Sequence, residues 1–237
     1  MTTPSGAISF SDIQTEFGGS NPISMSEYYR GGGQVPSVGA GTSGIPTSST
    51  ISADDLRGKS KTVTVTYDVL GAGGGGGCGY HSESPGSKGS YAASGGSASL
   101  SGSGITTVTA NGGSGGENGA YVWHSPTAGA SSAHGTGGAA GAEDNPGGNA
   151  TGSGAGGGGG GGNNSGGAAG QGGSAGQRHT GSFTVVYGTT LTMTIGSGGA
   201  GTVNAPRNGG AGSGGRVGLS WDSNNPAYTS STTRVVN

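Results

Sequence analysis

From Lys61 onward the chain alternates between apolar and polar positions. In KTVTVTYDVLGAG, Val63, Val65, Tyr67 and Val69 fall on one face and Thr62, Thr64, Thr66 and Asp68 on the other, which predicts a half-buried β-strand. The stretch SFTVVYGTTLTMTIGSGG predicts a hairpin: a strand over 183–187, a turn at Gly188 and Thr189, and a second strand in which Leu191, Met193 and Ile195 alternate with threonines. Shorter strands are expected over 105–110 and over 216–222, where Val217, Leu219 and Trp221 share a face.

The first 60 residues follow a different pattern. Ile8-Ser9-Phe10-Ser11-Asp12-Ile13, Ile23-Ser24-Met25-Ser26-Glu27-Tyr28 and Ile51-Ser52-Ala53-Asp54-Asp55-Leu56 each set a serine three residues before an acid, flanked by apolar residues. This is the spacing of a capping box inside a hydrophobic staple, so three short helices should start here. Gly18-Gly19, Gly31-Gly32-Gly33 and Gly58 are placed to stop them, and QVPSVGAGTSGIPTSST should be extended. The segment has few core residues, chiefly Ile8, Phe10, Ile13, Phe17, Ile23, Met25, Tyr28 and Tyr29. A free-standing unit of about 60 residues is marginal even with a full core. Residues 1–60 are therefore expected to order against something else, either another protein to which they attach the chain or the downstream domain at 61–237.

Between the strands lies glycine. Tracts occupy 71–79, 111–119, 135–143, 152–162, 165–176, 197–201 and 208–215, with seven consecutive glycines at 156–162. Ordering that run costs on the order of 10 kcal/mol, so something unusual must hold it if it is ordered. None of the tracts keeps a proline-rich Gly-X-Y period, which excludes a collagen triple helix, and a flexible linker would not recur so often. Extended polyproline-II-like glycine has no internal hydrogen bonds, so every N–H and C=O is open to a neighbour. Such segments can stack backbone to backbone, with hydrogen bonds at about 1 kcal/mol net offsetting the ordering cost. The expected fold is mainly β and irregular: short N-terminal helices, then a glycine-rich domain of β-strands with polyglycine-II-like extended segments. The alternative is a β-sandwich with glycine-rich loops.

Composition sharpens this picture. Glycine makes up 62 of the 237 residues, and Leu, Ile, Val and Phe fall below the roughly 20% share of a packed core, as in a disordered chain. Disorder usually brings high net charge, yet charged residues are 8% and the formal net charge is −2, which favours a folded chain with an atypical core. Nine Lys and Arg spread along the chain form no basic stripe, so nucleic acid is not an expected partner. MTTPSGAISF lacks the charged and apolar regions of a signal peptide, and no run approaches 18 apolar residues, so neither secretion nor membrane insertion is expected. Cys78, the sole cysteine, excludes an intrachain disulfide and reads as a buried thiol.

Catalytic signatures dissolve on inspection. The GxSxG strings at 112–116 and 172–176 lack a strand before and a helix after, GxGxxG matches are expected by chance at this glycine content, and Arg57-Gly58-Lys59-Ser60 lacks the first glycine of a phosphate loop. The four histidines are scattered, and Cys78 with His81 is a lone C-x-x-H. No enzyme activity, cofactor or metal is expected. If the glycine forms a rigid scaffold, the segments between tracts are its display. They carry Tyr80, His81 and Tyr91, then Tyr121, Trp123 and His124, and finally Arg207. Loop aromatics and arginine dominate binding hot spots, although Trp123 as filler packed on the glycine is an equal reading.

Two resemblances bear on function. GAISFSDIQTEFGGSNPISMSEYYRGG followed by IPTSSTISADDLRG resembles the N-terminal segment of structural proteins of tailed bacteriophages, chiefly tail and tail-fibre proteins. It covers about a quarter of the chain. The order strand, glycine tract, variable loop and closing strand after GGAGSGG is similar to the glycine-rich adhesins at the tips of some phage long tail fibres. Together they imply a virion protein of the phage tail or fibre, made in the host cytoplasm. Its N-terminal segment would attach to other tail or fibre proteins, and its glycine-scaffolded loops would bind a host surface receptor, an outer-membrane protein or a glycan. The alternative is a structural or decoration protein of tail, neck or capsid. An ice-binding glycine protein would explain the tracts but not the repeated N-terminal motif, and a depolymerase is the enzyme alternative.

Overall fold

The computed structural model describes residues 2–79, 91–119, 125–161, 169–203, 207–222 and 224–237. The fold is mainly β and irregular, and the one α-helix among the described residues, α1 (Phe10–Phe17), lies in the N-terminal segment. Ser9 and Asp12 form the expected capping box, and Gly18 ends the helix at φ 90°. The other two starts give only single 3-10 turns, Met25–Tyr28 and Ala53–Leu56, which end at Tyr29 and Arg57 rather than at glycine. Ser52 and Asp55 complete a capping box, whereas Ser24 is bonded by the Ser26 N–H. A further turn, Ala40–Thr42, lies in the stretch expected to be extended.

The segment has a small core of its own. Ile13, Phe17, Tyr28, Val35, Ile45 and Leu56 are buried together, with Ile8, Ile23, Met25, Ile51 and Ala53 packed against them. Phe10 stays 53% exposed, and the half-buried Tyr29 donates its hydroxyl to Ser49 O. The segment also touches the strands that follow. The Tyr187 ring fills the space over Gly39, where a Cβ would stand 2.1 Å from it, and its hydroxyl accepts from Gly41 N and donates to Asp222. Glu16 accepts from Lys61 N, the first residue of the next unit.

Among the described residues ten strands follow: β1 (Thr62–Leu70), β2 (Ala98–Gly102), β3 (Val108–Ala110), β4 (His134–Thr136), β5 (Thr151–Ser153), β6 (Arg178–Val186), β7 (Thr190–Thr194), β8 (Arg216–Ser220), β9 (Ala227–Tyr228) and β10 (Thr232–Val235). Eight of them form two antiparallel sheets, β6-β1-β8-β9 and β10-β7-β2-β3. Between the sheets lie Val63, Val65, Val69, Leu191, Met193, Val217, Leu219 and Trp221, all on apolar faces read from the alternation, together with Leu100 of β2, a strand the alternation did not reveal. One expectation fails. The stretch 183–195 is not a hairpin: β6 pairs with β1 while β7 pairs with β2 and β10, so the turn crosses from one sheet to the other. The corner is held because Tyr187 N is bonded to Lys61 O in the first sheet and Gly188 N to Val236 O in the second.

Strands β1 to β8 each run into or out of an extended glycine-rich segment. Among the described residues there are ten such segments: 71–79, 91–97, 111–119, 125–131, 137–142, 145–150, 154–161, 169–177, 196–203 and 207–215. Segment 71–79 shows how they associate. Gly71, Gly74 and Gly77 donate to Gln177, Ser174 and Gln171; Ala72 and Gly75 donate to Gly96 and Ala93; Gly73, Gly76 and Gly79 donate to Ser213, Gly210 and Arg207. Its carbonyls accept in the same rhythm, at 72, 75 and 78 from Gly113, Gly116 and Gly119, at 73 and 76 from Gly199 and Thr202, and at 74 and 77 from Gly157 and Gly160. A repeat of three, with no bond inside the segment, is the geometry of a polyproline-II helix. The segment therefore has six neighbours, three antiparallel that take its N–H groups and three parallel that bond its carbonyls.

Segment 154–161 also has six neighbours, 71–79 and 137–142 parallel to it and 169–177, 125–131, 145–150 and 207–215 antiparallel. The ten segments thus form rows of three, four and three, and the two inner segments are buried at every position. Outer segments show a period of three instead: in 111–119 and 169–177 the exposed residues are Asn111, Ser114, Glu117, Gln171, Ser174 and Gln177. No glycine within 71–79, 111–119, 155–161 or 169–177 has positive φ. Glycine is required there for space: a Cβ on Gly76 would stand 2.0 Å from Gly158 O, and one on Gly157 2.0 Å from Gly210 O.

The β4–β5 hairpin is tied to the sandwich by Asp68, which accepts from Arg178 Nε at 2.8 Å and Nη2 at 3.0 Å and bonds His134 Nε2 at 2.6 Å. The Arg178 hydrogen bonds hold the Asp68 carboxyl below the usual carboxylate range; partial burial opposes them and His134 adds to them.

Two predictions follow from this architecture. Gly76→Ala or Gly158→Ala should destabilise the protein by on the order of 3 kcal/mol or more, because main chain must move, whereas Ser114→Ala should stay within about 0.5 kcal/mol; chemical denaturation distinguishes them. Asp68, whose folded carboxyl has the depressed pKa, contributes stability above the ordinary carboxylate range and loses it as pH falls through the folded value. Asp68→Asn should therefore cost about 1 kcal/mol near neutral pH, with the difference from the parent closing in a stability–pH series as pH falls through the depressed folded value, below the ordinary carboxylate range.

Candidate functional site

The bundle has two ends with different chemistry. At one end the segments merge into the sandwich. At the other, here called distal, the chain turns back, and the residues flanking 80–90, 120–124, 162–168 and 204–206 all lie there with the described turn at 143–144. Gly79 N is bonded to Arg207 O, Gly119 N to Cys78 O, Gly161 N to Asn145 O and Asn145 N to Ala142 O, which sets these positions side by side.

Side chains take over where the main-chain array runs out. Cys78 N donates to Asn118 Oδ1 at 3.0 Å and to Thr202 Oγ1 at 2.6 Å, and Thr202 Oγ1 donates to Asn118 Oδ1 at 2.6 Å. One amide and one hydroxyl thus join three segments. Arg207 Nε donates to Asp144 Oδ1 at 2.6 Å and ties the start of segment 207–215 to the 143–144 turn. The Tyr91 hydroxyl donates to Glu117 Oε1 across neighbouring segments. That hydrogen bond, then the carboxylate's charge, raises the Tyr91 phenol above its ordinary value.

The candidate binding residues divide three ways. Tyr91 is 64% exposed on the distal rim. Arg207, expected in a display loop, is instead buried, because its guanidinium lies inside the end of the bundle on Asp144. Tyr80, His81, Tyr121, Trp123 and His124 lie outside the described residues. Cys78 is buried.

Residues not singled out as binding candidates also belong to this end. Val203 is 83% exposed on the segment next to Tyr91, and Glu117, Asn118 and Thr202 shape the rim. A signal existed: in NGGSGGENG the repeat of one outward residue and two glycines breaks at Asn118, and Thr202 likewise interrupts a glycine tract. Among the described residues no three His, Cys, Asp or Glu side chains gather where they could hold a metal ion, and no helix is long and apolar enough to cross a membrane. Among the described residues, the distal end thus presents an aromatic and an aliphatic side chain, Tyr91 and Val203, beside a cross-linked set of segment ends. Compared with protein-family models, curated proteins and solved structures, the chain matches none.

Arg207→Ala should loosen the distal end while leaving the sandwich intact. The expected loss is about 1–2 kcal/mol, since Asp144 is half exposed. Hydrogen exchange should speed up at Gly79 and Gly147, whose N–H groups are bonded to Arg207 O and Asn208 O, and stay unchanged at Val65 and Val217.

Proposed function

We propose that this chain is a non-enzymatic virion protein of a tailed phage, a tail-fibre adhesin mounted through residues 1–60 that binds a host surface receptor with the distal end of its glycine bundle. The supporting observation is polar separation. The compact N-terminal segment sits on the sandwich at Tyr187, one end of β6, while the turning points of the bundle collect at the other end of the molecule. An array with no bulky side chains separates them, so residues at the distal end can change without disturbing the mount. The N-terminal resemblance to tail and tail-fibre proteins and the compositional likeness to tip adhesins agree with this assignment of ends. The distal end carries the features of a recognition surface: a preorganised backbone with exposed Tyr91 and Val203 on its rim.

The reading is tested by immunogold labelling of intact virions with antibody raised against the full chain. Gold at the distal fibre ends is expected. Gold confined to neck, sheath or capsid would replace the adhesin with a structural or decoration protein.

A further inference from the structure

The sandwich has four edges, and one of them is unlike the others. β3, β9 and β10 are three, two and four residues long, whereas β6 runs for nine. Native sheets blunt their edges with short strands, lysine, proline, bulges or a covering segment. β6 has no lysine or proline, and it is exposed from Arg178 to Ser182 and again at Thr184.

The polarity of its backbone follows from its partner. Tyr187 N is bonded to Lys61 O and Gly71 N to Gln177 O on either side of the β1–β6 ladder, so the odd-numbered residues of β6 exchange hydrogen bonds with β1. The N–H and C=O groups of Thr180, Ser182 and Thr184 therefore point away from the sheet, and among the described residues no backbone group meets them.

We propose that the free chain pairs with a second copy of itself, antiparallel along β6, about a two-fold axis through Ser182. This register brings outward-pointing residues together: Ser182 faces its own copy and Thr180 faces the second copy's Thr184, giving about six main-chain hydrogen bonds and hydroxyl pairs on one face. On the other face Gly181 lies opposite the second copy's Phe183. Gly181 is bare because the Tyr67 hydroxyl occupies the space its side chain would need, at 2.5 Å from an added Cβ. Arg178 and His179 face Val186 and Val185, so no like charges meet. The two bundles point in opposite directions. The inference stands apart from the adhesin reading.

Sedimentation velocity of the full chain over a concentration series tests it. The parent should rise from the mass of one chain towards that of two. Thr180→Lys with Thr184→Lys sets lysine against lysine in this register and should give single chains. Thr180→Lys with Thr184→Glu sets opposite charges together and should pair at least as well as the parent. Unchanged thermal midpoints would show that all three are folded. A parent that stays a single chain at every concentration would overturn the proposal, as would a double-lysine variant that pairs as the parent does.

Discussion

A carbonyl oxygen stands about where a Cβ would have to be, and the rest of the molecule follows from that. At Gly73, Gly74, Gly76, Gly156 and Gly157 the distance from an added Cβ to a neighbour's oxygen is 2.0 Å, well inside any real contact. Removing the side chain lets segments approach until each N–H finds a carbonyl on one neighbour and each Cα–H faces a carbonyl on another. The centre of the domain is then a set of directional main-chain bonds. This explains how a chain so poor in large apolar residues has an interior, and why its longest glycine run belongs to an inner segment with six neighbours. Only a residue without a side chain serves in all three directions of a three-fold helix.

Such an array carries little information about its own alignment. Sliding one glycine segment by a full turn would restore nearly the same bonds, because register is weakly specified where no side chains differ. The sandwich supplies what the bundle lacks. Val63, Val65 and Val69 of β1 and Val217, Leu219 and Trp221 around β8 can be buried together in one register only, and β1 leads directly into 71–79 while 207–215 leads directly into β8. The hydrophobic core is small, and its effect reaches along the bundle. At the distal end Asn118, Thr202, Asp144 and Arg207 do the same work with side-chain hydrogen bonds.

The alternating strands β1, β6, β7 and β8 and the helix starts were legible because side chains cause them: valine–threonine alternation in β1, and serine with aspartate around α1 and Ala53–Leu56; β2, β4, β5, β9 and β10, short and without such alternation, were not read. The polyglycine segments were legible as a possibility, from the supply of free backbone groups. Their neighbours were not, since the choice of partner is made by strands far away in sequence. The crossing at Gly188 was misread for a related reason: a two-residue connection between alternating strands has the same local pattern whether the strands pair or separate, and only Lys61 and Val236 decide. At the distal end Arg207 looked like a display residue because charge in a loop usually faces water; its partner Asp144 lies 63 residues away.

The distribution of glycine then limits where this protein can hold a function that varies. In the middle of an inner segment no side chain fits, Ala72, Cys78 and Ala155 all standing near segment ends, and the core of the sandwich accepts only residues that keep the strand register. Outward positions of the outer segments accept small polar residues, and they do so every third residue, as Ser114 and Ser174 show. Changes at Tyr91 or Val203 cost the bundle little, because both side chains already stand in solvent on a backbone fixed from beneath. Under the proposed adhesin reading, a fold built in this way would keep recognition and stability in different residues, which is the property a surface needs if its partner changes while its mount does not.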